Sequence, residues 1–283
     1  MTDQNFPPDW TPDTTYADGR IGLTVRDGIA VLAVQIPKKM NALDVHATRG
    51  MVEALEAAQD RARVLVFTGA GGKAFISGAD IGGFDDDKRQ GSSFLERQKV
   101  LADYPLPTIA VIRGYCIGGG LMTALNCDFR LAGTDASFGI PAAKLGISYG
   151  FDGLSRLVQV AGPARTRYLL YTGDRVDAQT ALAWGLVEHV YDPDALWDQA
   201  MTMARRIAAN APLSIRATMT GTCRPLPIFR CFASKVPIFA RGVMRFVKSV
   251  NLNSRVHDGT GPVSRLEIQR LTSRPLFSRR KGA

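Results

Sequence analysis

The chain has no C-x-x-C pair, although it holds four cysteines, Cys116, Cys127, Cys223 and Cys231. That spacing argues against a disulfide framework and against a zinc or other metal site, and it fits reduced thiols in a cytoplasmic setting. No apolar run approaches the length that crosses a bilayer, so no membrane-spanning helix is expected. The opening stretch MTDQNFPPDWTPDTTYADGR is polar and acidic, unlike a signal or transit peptide. Residues 1–20 are expected to form a flexible leader.

Acidic residues are scarce at one end only. The net charge of +9 invites a polyanion partner until the charge is located. From Thr218 to Ala283 there are thirteen Lys and Arg against two acids, Asp258 and Glu267, so the rest of the chain is slightly acidic. With no interleaved aromatics in a recognisable nucleic-acid module, no nucleic-acid or membrane partner is expected. The basic segment reads either as divergence that makes a basic surface or as a reading-frame shift that replaced an inherited tail.

What is present is an ordinary globular composition, 46% apolar and 22% charged over 283 residues, enough for one large domain or a domain with an appendage. IGLTVRDGIAVLAVQ alternates around Asp27-Gly28 and predicts a hairpin. Residues 45–60 carry apolar side chains at helical spacing. ARVLVFTGAG and TIAVIRGY read as buried strands, KAFISGADI as a short strand with a tight turn, and 92–102 as helix. DFRLAGTDASFGIP adds strands, while DGLSRLVQVAG and AQTALAWGLVEHV add helices. Recurrent strand and helix units define an α/β fold in stacked layers. ALWDQAMTMARRIAANAP is an amphipathic helix, and a boundary is expected near residue 210.

One stretch asks for a ligand. In GYCIGGGLMTALNCDFRLAG, three consecutive glycines precede a helical run, which leaves backbone N–H groups open to an anion or a carbonyl oxygen. The same triplet also serves close packing of strand and helix. No Asp, Glu or His follows it until Asp128, so the loop offers a binding site without an acid or base beside it.

Four motifs in order, MNALD at 40–44, GKAFISGADI at 72–81, the glycine loop running on to SFGIPAAKLGI, and AGPARTRYLLYTGDRVDAQTALAWGLVEHV at 161–190, resemble the enoyl-CoA hydratase/isomerase (crotonase) superfamily. The resemblance covers roughly residues 20–210. It implies a spiral of repeated ββα units over 21–210, a helical C-terminal region over 211–283 used in trimerisation, and an acyl-CoA thioester as substrate. Coenzyme A then arrives as part of that substrate and no separate cofactor is expected. The implied assembly is a homotrimer or a dimer of trimers.

By resemblance, the backbone amides of Ala79 and Gly119 form an oxyanion hole that stabilises a thioester enolate. Lys38 and Lys39 resemble the basic site for the CoA phosphates, or are two solvated lysines on a loop. Met40, Ala42, Gly78, Asp80, Ile81, Gly118 and Pro141 fall where the family lines its pocket, and Asp80 equally suits a cap. Standard hydratases carry two glutamates, at the positions here filled by Met122 and Ala142, and neither of these transfers a proton. The nearest titratable groups are in LGISYGFDGLSR, where Tyr149 and Asp152 are the candidates. Asp152 reads either as the relocated acid or as an N-cap, and Tyr149 as a catalytic partner or as pocket wall. His46, His189 and Cys116 suit the role less well. Two functions remain open on this reading: an enzyme with a relocated acid, and a silent acyl-CoA carrier.

Overall fold

The computed structural model describes residues 6–8, 10–80 and 99–219. Eleven strands lie in two sheets among the described residues. A long sheet runs in the order β1 (Thr14–Tyr16), β2 (Ile21–Arg26), β3 (Ile29–Val34), β4 (Val64–Gly69), β6 (Thr108–Ile112), β8 (Phe129–Gly133), β11 (His189–Tyr191). A short one runs β10 (Arg175–Asp177), β9 (Ser137–Gly139), β7 (Tyr115–Ile117), β5 (Ala74–Ile76). The predicted hairpin joins β2 to β3, with Asp27 at φ 51° and Gly28 at φ 75°, the two positive angles a type I′ turn needs.

The chain then alternates between sheets. β4, β6 and β8 enter the long sheet in parallel, and the strand after each, β5, β7 and β9, enters the short one. A helix follows β7 (Gly119–Leu125) and another follows β9 (Ala142–Leu145). This repetition is the expected ββα spiral. Parallel strands covered on both faces read as continuous apolar runs, which is why β3, β4 and β6 are buried throughout.

The two faces of the long sheet have different covers. Ala30, Leu32, Leu65, Phe67, Ala110 and Ile112 face the main core, which includes the helix Val45–Gln59. Ile29, Val31, Val64, Val66, Ile109 and Val111 face the helix Pro193–Ala209. That helix presents Leu196, Ala200, Ala204 and Ala208 at intervals of four, a stripe of small side chains that lets it lie close to the strands. It ends before Asn210.

Of the C-terminal region expected over 211–283, Pro212–Thr218 is helical, and residues 220–283, with the question of their basic charge, lie outside the described residues. Most of the helix expected over 92–102 is outside them as well, and Lys99–Ala102 is helical. Among the described residues, no helix is long and apolar enough to cross a membrane.

Candidate active site

The first wall grows from β5. After the buried Ala74, Phe75 and Ile76 the chain passes Ser77 and turns at Gly78, whose φ of +128° is one that side chains rarely adopt. It then runs parallel to Leu43 in a single bridge. The Leu43 N–H donates to the Gly78 carbonyl at 3.0 Å, and the Asp80 N–H donates to the Leu43 carbonyl at 3.0 Å. In extended chain, successive backbone groups point to opposite sides. Ala79, between those two bonded groups, therefore turns its own N–H away from Leu43. Ala79 is exposed, and among the described residues its N–H has no backbone acceptor.

The second wall grows from β7. Gly118 stands at φ 56°, ψ −117°, a conformation open to glycine and hardly to any other residue, and its N–H donates to the Gly139 carbonyl at 2.8 Å. Gly119 then opens the helix Gly119–Leu125. The first N–H groups of a helix have no intrahelical acceptor, and that of Gly119 finds no other backbone acceptor among the described residues. Gly120 serves packing: a Cβ there would lie 2.0 Å from the Ile76 carbonyl oxygen. The packing reading of the triplet thus applies at Gly120, while Gly119 keeps an open N–H. Gly120→Ala is expected to push this helix off β5 and to cost about 3 kcal/mol, the upper part of the overpacking range. A urea-denaturation midpoint equal to the parent's contradicts that.

Tyr149 lies against this wall. Its phenol oxygen is 2.8 Å from where a Gly118 Cβ would stand, so the hydroxyl rests over the Gly118 backbone beside Gly119. Burial pushes the Tyr149 pKa up, which keeps the phenol a neutral donor. Met122, 2% exposed, sits on the first turn of the helix Phe151–Ala161, its sulfur 3.2 Å from where a Gly153 Cβ would be. Arg156 fastens that helix by donating from Nε to the Leu125 carbonyl at 2.9 Å. Ala142 is also buried, in the first turn after a half-buried Pro141. The two positions that the resemblance matches to glutamates are thus apolar and packed.

Asp152 is not the N-cap of its helix. Gly150 holds that place with extended angles, φ −66° and ψ 158°, and without a side-chain cap bond. The chain is already helical at Phe151, ahead of the start that the cap reading requires, and Asp152 is the second helical residue; its side chain lies outside the described residues.

Beside the Ala79 strand, Pro37–Lys39 forms a single 3-10 turn with Lys38 and Lys39 exposed, Met40 at 38% exposure and Ala42 half-buried. The Lys39 ammonium meets the Asp80 carboxylate at 2.6 Å, so Asp80 ties this turn to the Ala79 strand. Ile81 lies outside the described residues.

The remaining candidates are elsewhere. His46 and His189 are exposed, His46 in the helix Val45–Gln59 and His189 at the start of β11. Cys116 is fully buried, and desolvation holds its thiol well above the ordinary range. A cleft of about 1150 Å³ over the short sheet includes Met40 in its lining. Within it Arg113 pairs with Asp135, Lys144 pairs with Asp174 and Arg175 lies over the Tyr115 ring, and neither Ala79 nor Gly119 lines it.

Sequence reasoning gave no role to Asn41, Leu43, Gly139 or Gly153. Their partners, Ala74, Ala79, Gly118 and Met122, lie tens of residues away along the chain, and no local pattern announces such pairings.

Strands that alternate between two sheets, with glycine turns after β5 and β7, place the protein in the crotonase fold. A sequence model of the family described as Enoyl-CoA hydratase/isomerase matches residues 24–226, and the chain belongs to that family. It is an enzyme of the hydratase/isomerase type by its relatives. The crotonyl-CoA hydratase of Syntrophomonas wolfei subsp. wolfei is 35% identical over 201 residues, 69% of this chain and 77% of its own. The (E)-benzylidenesuccinyl-CoA hydratase of Thauera aromatica is 36% identical over 208 residues, 70% of this chain and 80% of its own. A crystal structure of an enoyl-CoA hydratase/carnithine racemase from Magnetospirillum magneticum superposes with a TM-score of 0.69 at 31% identity, covering 92% of this chain and 95% of that one.

Proposed function

We propose that the protein binds an acyl-CoA thioester and stabilises its enolate through the N–H groups of Ala79 and Gly119. The observation that carries this reading is the pair of amides that, among the described residues, have no backbone acceptor, each fixed by a glycine turn and by bonds to its neighbours. As the α-carbon loses a proton, the C–H electron pair forms the new C=C bond and the carbonyl π pair moves onto oxygen. Fixed N–H donors meet that developing charge without having to reorganise. The dipole of the helix starting at Gly119 adds favourable potential at the same place.

The proton needs an acceptor within hydrogen-bond reach. Met122 and Ala142 cannot serve, and Asp152 is the group we assign, with the Tyr149 phenol positioning the substrate or sharing the proton. Lys38 and Lys39 face the CoA phosphates at the entrance in this reading, and Met40, Ala42 and Pro141 line the pocket. The chemistry is isomerisation, decarboxylation or hydration of an acyl-CoA in fatty-acid or related metabolism, with coenzyme A supplied by the substrate and no further cofactor. The assembly in this reading is the homotrimer or dimer of trimers that the family resemblance implies, which a native mass measurement checks.

The direct test follows the α-proton. Saturated and unsaturated acyl-CoAs incubated with the enzyme in deuterated water should gain deuterium at the α-carbon, read by mass spectrometry, whatever the net reaction. The burial of Met122 and Ala142 favours one other reading, a carrier that retains the thioester site without proton transfer. Tight binding of an acyl-CoA with no exchange and no turnover on any thioester selects the carrier.

A further inference from the structure

Asn41 is a fully buried side chain amide for which the chemistry above has no use. It stands at φ 55°, directly after Met40 at φ 53°, so two successive residues with side chains occupy the left-handed region. Asn tolerates that conformation better than most residues, and neighbouring bonds must hold it there. Those bonds reach three chain segments. The Asn41 Oδ1 accepts from the Ile36 N–H at 2.9 Å, past the end of β3. The Nδ2 donates to the Ala70 carbonyl at 2.9 Å, past β4, and to the Ala74 carbonyl at 2.7 Å, the first residue of β5. Both amide hydrogens are used, and a flipped amide would set its oxygen against two carbonyl oxygens. Room is left for it at Gly69, where a Cβ would come within 2.7 Å of the Nδ2.

The loop that Asn41 anchors is the one that orients Ala79. The Ser77 N–H donates to the Met40 carbonyl at 3.2 Å, and two residues beyond Asn41 come the Leu43 bonds to Gly78 and Asp80. The Lys39 and Asp80 pair closes the same seam from outside. Asn41 therefore fixes the spacing between residues 36–43 and the strand that leads to Ala79.

We propose that Asn41 is the positioning residue of the oxyanion hole, aiming the Ala79 N–H by clamping the 36–43 loop to β5. The inference rests on the enolate-stabilising reading above. It predicts that losing the Asn41 amide moves a catalytic donor without removing any group that touches the substrate. Turnover should fall while binding stays, because a displaced donor forfeits stabilisation specific to the transition state.

The test uses the full chain and butyryl-CoA labelled at the thioester carbonyl, followed by infrared difference spectroscopy. A polarised carbonyl stretches at lower frequency, so the wild-type complex should show a downshift. Asn41→Gly suits the positive φ and deletes only the side chain. It should bind butyryl-CoA within about threefold of wild type, lose most of the downshift, and lower kcat by roughly tenfold or more. The buried control Ile109→Val, on the other face of the long sheet, should keep the downshift at whatever stability it has. Asn41→Asp places a carboxyl against two carbonyl oxygens, which raises its pKa. Protonated, it donates to one of them and accepts from the Ile36 N–H, so the downshift should return as the pH falls. This second variant decides the matter if Asn41→Gly does not fold. A full downshift in folded Asn41→Gly, or a pH-independent one in Asn41→Asp, overturns the positioning role. A wild-type complex without any downshift instead removes the oxyanion hole, and the positioning role with it.

Discussion

Gly119→Pro is expected to lower turnover by roughly 10²- to 10³-fold on whichever acyl-CoA the enzyme converts, the effect of deleting one oxyanion donor. In most helices a proline is a blunt instrument. Here position 119 is the first residue of its helix, where the N–H has no intrahelical acceptor and a fixed φ near −65° is already suitable. The residue before a proline usually suffers a clash through its Cβ, and Gly118 has none. The substitution removes the hydrogen under test, while the bond that holds the turn, from the Gly118 N–H to the Gly139 carbonyl at 2.8 Å, is made by a different residue. A far-UV spectrum and a thermal midpoint close to wild type establish that the protein is folded. Turnover within tenfold of wild type in that folded protein rules out the Gly119 amide as a donor. A loss of acyl-CoA affinity equal to the loss of kcat/KM has another meaning: the amide then binds the ground state and the transition state alike.

Of the two amides proposed as donors, one is visible in the sequence and what orients the other is not. Three glycines after a short apolar strand announce a helix start with open amides, and the structure places Gly119 at that start. Each glycine nevertheless answers a different demand, Gly118 a backbone angle and Gly120 a carbonyl 2.0 Å from its missing Cβ, and a triplet read alone does not separate them. Ala79 differs. Its N–H is turned outward by pairing with Leu43, thirty-six residues earlier, and that pairing depends in turn on Asn41 reaching Ala70 and Ala74. Motifs record such contacts as residue types in order, without the geometry that makes them work. The hairpin at Asp27-Gly28 was legible because its signal is local, two residues that accept positive φ. The cap of the helix Phe151–Ala161 is local too, yet the usual preference for Asp over Gly at that position pointed past Gly150 to Asp152.

That displacement matters for the second large effect. Asp152→Asn is expected to reduce turnover by about 10²- to 10⁴-fold with acyl-CoA affinity nearly unchanged, the signature of a lost proton-transfer group. An Asp at the N-cap would have offered an easy alternative, since Asn caps as well as Asp and the substitution would then be silent. Gly150 holds the cap, so this explanation of a silent variant is gone. A carboxylate in the first helical turn still gains from the helix dipole, and Asn forfeits that gain, about 0.3–1 kcal/mol of stability. The two losses are separable, because one appears in the denaturation midpoint and the other in kcat at saturating substrate. Tyr149→Phe completes the comparison. Burial holds the phenol protonated, so Tyr149 acts as a donor throughout the neutral range and gives no basic limb to the pH profile below its ordinary value of 10.0. If Tyr149 only positions the substrate, Tyr149→Phe raises KM and lowers kcat modestly, and α-deuterium exchange continues. If it shares the proton, exchange falls in the Tyr149→Phe variant as steeply as in Asp152→Asn. Wild-type exchange in Asp152→Asn removes Asp152 from the mechanism and shifts the assignment to the Tyr149 hydroxyl, poised over the Gly118 backbone, or to a bound water as the proton acceptor.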